Sequence, residues 1–300
     1  YSTTTLDTTY ASFPLAIALD ANGNPIIAES NNQISLYYVL ATFQHVYSYS
    51  SKGLTPGMLA YLYRYGPEFP GISPATATFV AGSQPLPTTL SDLQVYVNGT
   101  LSPIFNVSTS RVDFQVPWSA PTSGTARLQL VRASTQEILA DASVKMQTAA
   151  PGLATANATG SGQLAALNQD GTVNTLLNPA ARGSIISVFG TGIGPVPNAP
   201  ADGSTSTALQ PLNAQNVSVY ITNPGPSGAL DSSNVKYFGL VTWFPGVFQL
   251  NVQIPQSVPP TASGSPGSIL YLFWQDFTST DGIDPSTHVS GNVKTYIAVK

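Results

Sequence analysis

The chain has 300 residues, of which only 8% are charged: ten Lys and Arg stand against fourteen Asp and Glu, for a net charge of −4 and a pI near 4.9. Soluble proteins average roughly 25% charged residues, so Ser, Thr, Asn, Gln and backbone must wet most of this exterior, and such a surface repels its neighbours weakly. The scattered basic residues form no stripe for nucleic acid, no apolar run approaches the ~18 residues of a membrane span, and the lack of Cys excludes disulfides and thiolate metal sites.

Twenty-five Gly and twenty-five Pro punctuate short apolar runs, the pattern of β-sandwiches. Leu164-Ala-Ala-Leu167 is the nearest approach to a helical stripe, and Asn168-Gln-Asp-Gly171 ends it with a hairpin signal. The fold class is therefore all-β. The opening Tyr1-Ser-Thr-Thr-Thr5 carries no basic or hydrophobic leader, and the Ser/Thr-rich, Lys-poor composition predicts a secreted, extracellular or cell-surface chain whose signal peptide has been removed.

Residues 1–52 form a first section. Leu15–Leu19, Asp20-Ala-Asn-Gly-Asn24 and Pro25–Ala28 read as strand, tight turn and strand. From Gln33 to Ser50 the pattern alternates as one long strand, with Ile34, Leu36, Tyr38 and Leu40 on one face and Tyr37, Val39, Ala41 and Phe43 on the other. Both faces are apolar, which predicts burial on two sides. A hairpin and one strand cannot make their own core, so this section must dock on the rest of the chain or on another molecule.

A β unit then occurs twice. Val95-Tyr-Val-Asn98, Val112-Asp-Phe-Gln-Val-Pro117 and a Pro/Ser/Gly turn are followed later by Val219-Tyr-Ile-Thr222, Phe248-Gln-Leu-Asn-Val-Gln-Ile-Pro255 and a similar turn. Two copies predict two similar domains in tandem, at 53–148 and 183–300. Residues 149–182 are expected to be a loop and hairpin packed between them.

Asn178-Pro-Ala-Ala-Arg-Gly-Ser-Ile-Ile-Ser-Val-Phe-Gly-Thr-Gly-Ile-Gly-Pro195, Ala165–Asn174 and Pro245-Gly-Val-Phe-Gln-Leu-Asn-Val-Gln-Ile-Pro255 resemble an uncharacterised C-terminal domain found on many secreted acidobacterial proteins. Val112-Asp-Phe-Gln-Val-Pro-Trp118 is similar to that domain's tandem partner. The resemblance covers about residues 53–300 and implies two tandem immunoglobulin-like β-sandwich domains, with no established activity and no catalytic residues to carry over. Leu59–Gly66, Asn223–Asp231 and Asp276–Ser290 depart from the family pattern, and function particular to this chain is expected there. Pro14–Pro25 also resembles a blade hairpin of bacterial β-propeller repeats.

The chemical motifs are sparse. Gly190-Thr-Gly192-Ile-Gly194 follows a strand as a dinucleotide-binding loop would, but Pro195-Val-Pro197 leaves no helix N-terminus for a pyrophosphate. There is no Gly-x-Ser-x-Gly elbow, the two histidines, His45 and His288, stand in separate elements, and Glu29, Glu68 and Glu137 share no context that would pair carboxylates. No catalytic residue and no cofactor is assigned. Asp20, Asn22 and Asn24 offer oxygens at alternate positions for calcium, yet a plain turn wants the same residues and is the stronger reading. Asp276, Asp281 and Asp284 are a weaker calcium candidate. Asn98, Asn106, Asn157 and Asn216 each begin an Asn-x-Ser/Thr glycosylation pattern.

Two roles remain, both non-catalytic. The leading expectation is a self-assembling subunit of a filament or appendage, its partners copies of itself, joined by strand addition. Ile34, Leu36, Tyr38, Leu40 and Phe43 would act as donor, and Tyr61, Tyr63 and Tyr65, sharing one strand face, would add a Tyr-rich contact surface. The alternative is a polysaccharide-binding or adhesin module using exposed aromatics, with Tyr271, Phe273, Trp274 and Phe277 as candidates, together with the loops 223–234 and 276–290.

Overall fold

The computed structural model of the chain describes residues 14–19, 25–29, 34–36, 41–64, 68–69, 71–212, 217–222, 232–274, 277–278 and 295–300. The chain is all-β, as its punctuation predicts. β1 (Pro14–Leu19), β2 (Pro25–Glu29) and β3 (Ile34–Leu36) form an antiparallel meander in the order β1-β2-β3. The turn that holds Asp20, Asn22 and Asn24 lies outside the described residues.

The first sandwich comprises β4 (Ala41–His45), β5 (Leu59–Arg64), β6 (Ala75–Thr76), β7 (Leu93–Val97), β8 (Thr100–Ser102), β9 (Ile104–Val107), β10 (Arg111–Gln115), β11 (Thr125–Arg132) and β12 (Ile138–Lys145). One sheet runs β4-β5-β10-β9-β6 and the other β12-β11-β7-β8. Alternate residues of each sheet meet in a shared core: Leu62, Val112 and Phe114 from one, and Val95, Leu128 and Leu130 from the other. At roughly 25 cal/mol per Å² of apolar surface removed from water, such alternation is what holds the two layers together.

The second sandwich comprises β13 (Gly152–Leu153), β14 (Gly162–Gln163), β15 (Ala166–Leu167), β16 (Ile185–Thr191), β17 (Gln210–Pro211), β18 (Val217–Thr222), β19 (Val235–Leu240), β20 (Val247–Gln253), β21 (Ser268–Trp274), β22 (Phe277–Thr278) and β23 (Thr295–Ile297). Its sheets run β13-β16-β20-β19-β17, with β15 also on β16, and β14-β23-β21-β18, with β22 on β21. The repeated Val112–Pro117 and Phe248–Pro255 motifs occupy equivalent places, since β10 and β20 are each the central strand of a five-stranded path. The equivalence extends to single bridges: Leu54 pairs in parallel with Met146 just before β5, and Ala180 with Val299 just before β16.

Two boundaries differ from those read in the sequence. The alternating stretch 33–50 is not one strand: Ile34–Leu36 pairs with β2, Ala41–His45 pairs with β5 of the same chain, and a turn follows at 46–48. The first sandwich therefore takes in residues from 41, and β4 occupies the edge that β13 and β15 occupy in the second. Residues 149–182 are not a spacer between domains, because Ala149, Leu153, Leu164, Ala166 and Ala180 all belong to the second core. Asn174, fully buried, fastens this segment: its Nδ2 donates to Ala298 O at 2.8 Å and its Oδ1 accepts from Ala298 N at 2.8 Å.

The Gly190-x-Gly192-x-Gly194 series has a structural origin. Cβ atoms on these residues would overlap the carbonyl oxygens of Gly152, Ala150 and Thr148 respectively, and Gly192 and Gly194 have φ of 90° and 79°. The glycines let the linking segment lie directly on the end of β16. Gly192→Ala is expected to lower stability by about 3 kcal/mol or more, combining strain with backbone overlap. Gly99→Ala, at φ 80° with nothing within 4 Å, should lose only about 1 kcal/mol. Urea unfolding of the two variants measures the difference.

Candidate functional site: the joint between the sandwiches and its aromatic face

Two layers of interaction join the sandwiches. The first is a small mixed core: Leu59 and the partly buried Val46 and Phe105 from the first sandwich pack with Val241 and Val247 and the partly buried Phe189 and Phe244 from the second. The second is a set of buried hydrogen bonds centred on Thr191. Its hydroxyl accepts from Leu59 N of the first sandwich at 3.0 Å and donates to Gly246 O of its own sandwich at 2.7 Å, so the bond that crosses the joint is anchored by a second one behind it.

His45, buried to 1% exposure, adds a third link, with Nε2 3.2 Å from Thr191 O. Its Nδ1 accepts from Tyr47 N at 2.9 Å and Ser48 N at 3.1 Å. Two amide donors at Nδ1 require that nitrogen to be bare, so the proton sits on Nε2 and is donated to Thr191 O. The histidine is thus a joint residue with both ring nitrogens engaged.

The loop before β17 closes the joint from its other side. Gly203 N donates to Gln115 Oε1 at 2.8 Å, Leu86 N donates to Gly203 O at 3.0 Å, Trp118 N donates to Asp202 Oδ1 at 2.8 Å, and Gly82 N donates to Thr205 Oγ1 at 3.0 Å. Trp118 packs against the second core although it stands in the turn that follows β10 of the first sandwich. Backbone N–H donors of each sandwich are thereby satisfied by side-chain and backbone acceptors of the other.

An aromatic face emerges from this joint. Phe79 and Phe105 both contact Phe244, at centroid separations of 5.6 and 5.7 Å, and Phe189 meets Trp243 edge-on at 5.6 Å and 74°. Trp243 is 51% exposed. Strand register puts Ser187, Phe189, Gln249, Asn251 and Tyr237 on the same outer face of the β16-β20-β19 sheet, opposite the inward Val188, Leu250 and Phe238. Gln249 Nε2 donates to Asn251 Oδ1 at 2.7 Å. The Tyr237 hydroxyl donates to Leu240 O at 2.8 Å, and burial raises its pKa against a smaller opposing hydrogen bond from the Gln210 backbone. The face therefore presents a half-exposed indole, flanking rings and neutral amides.

The sequence-derived contact residues fall elsewhere. Phe43 is part of the first core and its strand is paired within the chain. Ile34 and Leu36 lie in β3, while Tyr38, Leu40 and Tyr65 lie outside the described residues. Tyr61 and Tyr63 do share a strand face, but Tyr61 is only 5% exposed: the Arg111 guanidinium carbon sits 3.7 Å above its ring, its hydroxyl donates to Gln44 Oε1, and Tyr49 and Tyr63 flank it. Arg111 in turn donates from Nε to Asp113 Oδ1 at 2.7 Å, and Asn106 Nδ2 donates to Asp113 Oδ2 at 2.9 Å. Tyr61 is thus held in an internal cation–π and hydrogen-bond ladder rather than on an open contact surface, while Tyr63 beside it is half-buried. Tyr271, Phe273 and Trp274 lie in β21 and Phe277 in β22. Of the two long loops, 223–231 and 279–294 lie outside the described residues.

Trp243 was not singled out by sequence reasoning. It sits in Thr242-Trp-Phe-Pro-Gly246, a turn between β19 and β20, where alternation gives no inside or outside. The available signal was an aromatic pair preceding Pro-Gly at a strand entrance. Among the described residues no group of three or more His, Cys, Asp or Glu could hold a metal, and no helix is long and apolar enough to cross a membrane.

No family model and no curated protein matches the chain. Solved structures that resemble it include the surface glycan-binding protein PbSGBP-B from Prevotella bryantii, at 10% identity and TM-score 0.24, covering 81% of this chain and 40% of that one. They also include SGBP-B of the Bacteroides ovatus mixed-linkage glucan utilization locus in complex with a mixed-linkage heptasaccharide, at 10% identity and TM-score 0.33, covering 92% and 52%. A gamma-CGTase from an alkalophilic Bacillus clarkii matches at 10% identity and TM-score 0.20, covering 94% and 32%. The chain thus spans about half or less of each of these proteins. At such TM-scores the likeness fixes neither topology nor function.

The joint's central bond gives a direct measure of its weight. Thr191→Val keeps the shape but leaves Leu59 N and Gly246 O buried without that partner, and is expected to destabilise the protein by about 2–4 kcal/mol. Chemical denaturation should show a lower midpoint than wild type, and limited proteolysis should cut preferentially at the newly loosened linking segment around Ala149–Pro151.

Proposed function

We propose that the protein is a non-catalytic, extracellular or cell-surface module that binds a neutral polysaccharide along the aromatic face of the joint. The observation that carries this reading is Trp243: half its surface is open to solvent, its ring is braced edge-on by Phe189, and Gln249 and Asn251 lie on the same sheet face. A pyranose ring has an apolar C–H face and a rim of hydroxyls, so it needs an aromatic plane beside neutral donors and acceptors. An ionic ligand would find no counter-charge among these residues.

Strand donation between subunits has less behind it. The part of the expected donor that carries Phe43 is already paired with β5 of its own chain, and Tyr61 is covered by Arg111. The absence of repulsive surface charge permits self-contact but does not direct it.

Trp243→Ala is expected to weaken retention by an immobilised neutral polysaccharide at least tenfold, about 1.4 kcal/mol, without moving the thermal midpoint by more than a few degrees. Affinity electrophoresis through gels containing β-glucan, xylan, mannan or starch, paired with calorimetry, reads both quantities. Retention of the variant equal to wild type on every polymer the wild type binds overturns the proposal. Concentration-dependent assembly of wild type that Trp243→Ala abolishes would assign the face to self-contact instead.

A further inference from the structure

The loop at 79–85 of the first sandwich and the loop at 198–210 of the second enclose a pocket of about 380 Å³. That volume lies at the small end of the about 300–1,000 Å³ typical of ligand pockets, enough for a short ligand and too small for a long chain. Its walls are Phe79, Ser83, Gln84, Asn198, Thr205 and Gln210 with neighbouring small residues, and among the described residues no Asp, Glu, Lys, Arg or His lines it.

Three observations make this a built site. First, the walls are fixed by bonds that cross the joint: Gly82 N donates to Thr205 Oγ1 at 3.0 Å, and Leu86 N to Gly203 O at 3.0 Å. Neither sandwich alone would form it. Second, Gln210 donates through Nε2 to Asn198 O at 3.1 Å, which fixes the amide orientation, and its Oε1 is buried with no hydrogen-bond partner. An unsatisfied acceptor in an uncharged pocket calls for a hydroxyl or amide donor. Third, Phe79 both lines the pocket and contacts Phe244, whose chain neighbour is the exposed Trp243. Pocket and aromatic face are therefore linked through one run of rings.

We propose that this interdomain pocket is a sugar subsite, taking a single neutral pyranose unit with its C–H face toward Phe79 and its hydroxyls toward Gln210, Asn198, Ser83 and Thr205. The inference rests on the glycan-binding reading of the Trp243 face and adds to it a site that would select the sugar, where the face supplies an unselective platform.

The test uses the full chain. Cellotetraose, xylotetraose, mannotetraose and maltotetraose are titrated into wild type by calorimetry, and the parent polymers are run in affinity gels. Ser83→Trp, at an exposed turn position, fills the pocket, and Gln210→Leu removes the orphan acceptor at nearly constant volume; circular dichroism and thermal melting verify that both fold. Both variants are expected to weaken the preferred tetrasaccharide at least tenfold while keeping polymer retention that depends on Trp243. If wild type binds polymer through Trp243 and both pocket variants bind every tetrasaccharide as wild type does, the pocket proposal is overturned and the face reading stands. If Trp243→Ala leaves polymer retention intact but the pocket variants lose the tetrasaccharide, the face reading falls and the pocket is supported alone. Wild type that binds none of these probes overturns both.

Discussion

One hydroxyl holds the two halves of this protein in register. Thr191, at the end of β16, donates to Gly246 and accepts from Leu59, while its carbonyl faces His45. All of these groups are buried, so each bond replaces hydration that none of them could recover in the folded state. The mixed core of Leu59, Val241 and Val247 excludes the water that would otherwise compete. Joint geometry then determines what lies on its two flanks: the Phe244–Trp243 turn on one and the loop carrying Asp202, Gly203 and Thr205 on the other. Inter-domain interfaces are commonly polar and mobile. This one is bonded more like a core, and the close backbone approach allowed by Gly190, Gly192 and Gly194 is what permits it.

Much of the architecture was legible in the sequence because a duplicated pattern constrains topology. The Val112–Pro117 and Phe248–Pro255 strands alternate strictly, and both turn out to be central strands with their apolar residues turned into a core. The hairpin at 14–29 was legible for a similar reason, as a turn signal between two apolar runs. The limits of the first unit were less readable. Residues 33–50 alternate without interruption, and alternation alone cannot show that Ala41–His45 changes partner from the meander to β5. The same blindness affected 149–182: its strands of two residues each are too short to register as strands, yet the segment as a whole supplies five residues to the second core.

The site was the least legible part, and the reason is physical. Period-two patterning separates the two faces of a strand, but says nothing about which outer face stays wet once a second domain docks. Tyr61 looked like an open ring by alternation and is roofed by Arg111; Trp243 sits in a turn, outside any period, and is the ring left half-exposed. The Gly-x-Gly-x-Gly series illustrates the same point in reverse. Its spacing says that a backbone must come close, and only the fold reveals that the visitor is the chain's own linker and not a phosphate.

A bonded joint and an uncharged surface have a combined consequence for recognition. Without charges there is little long-range steering and little Coulomb energy, so affinity must come from ring contacts and short neutral hydrogen bonds, each individually weak. Such contacts sum only if they are presented together, because any hinge freedom between the sandwiches would have to be frozen at the moment of binding. Here the pocket beside Phe79 is assembled from the two sandwiches, the Trp243 turn is buttressed across them by Phe79 and Phe105 on Phe244, and the Thr191, His45 and Gly203 bonds remove that hinge beforehand. Rigidity at the joint is thus what allows many weak, neutral contacts in the proposed role to act as one site.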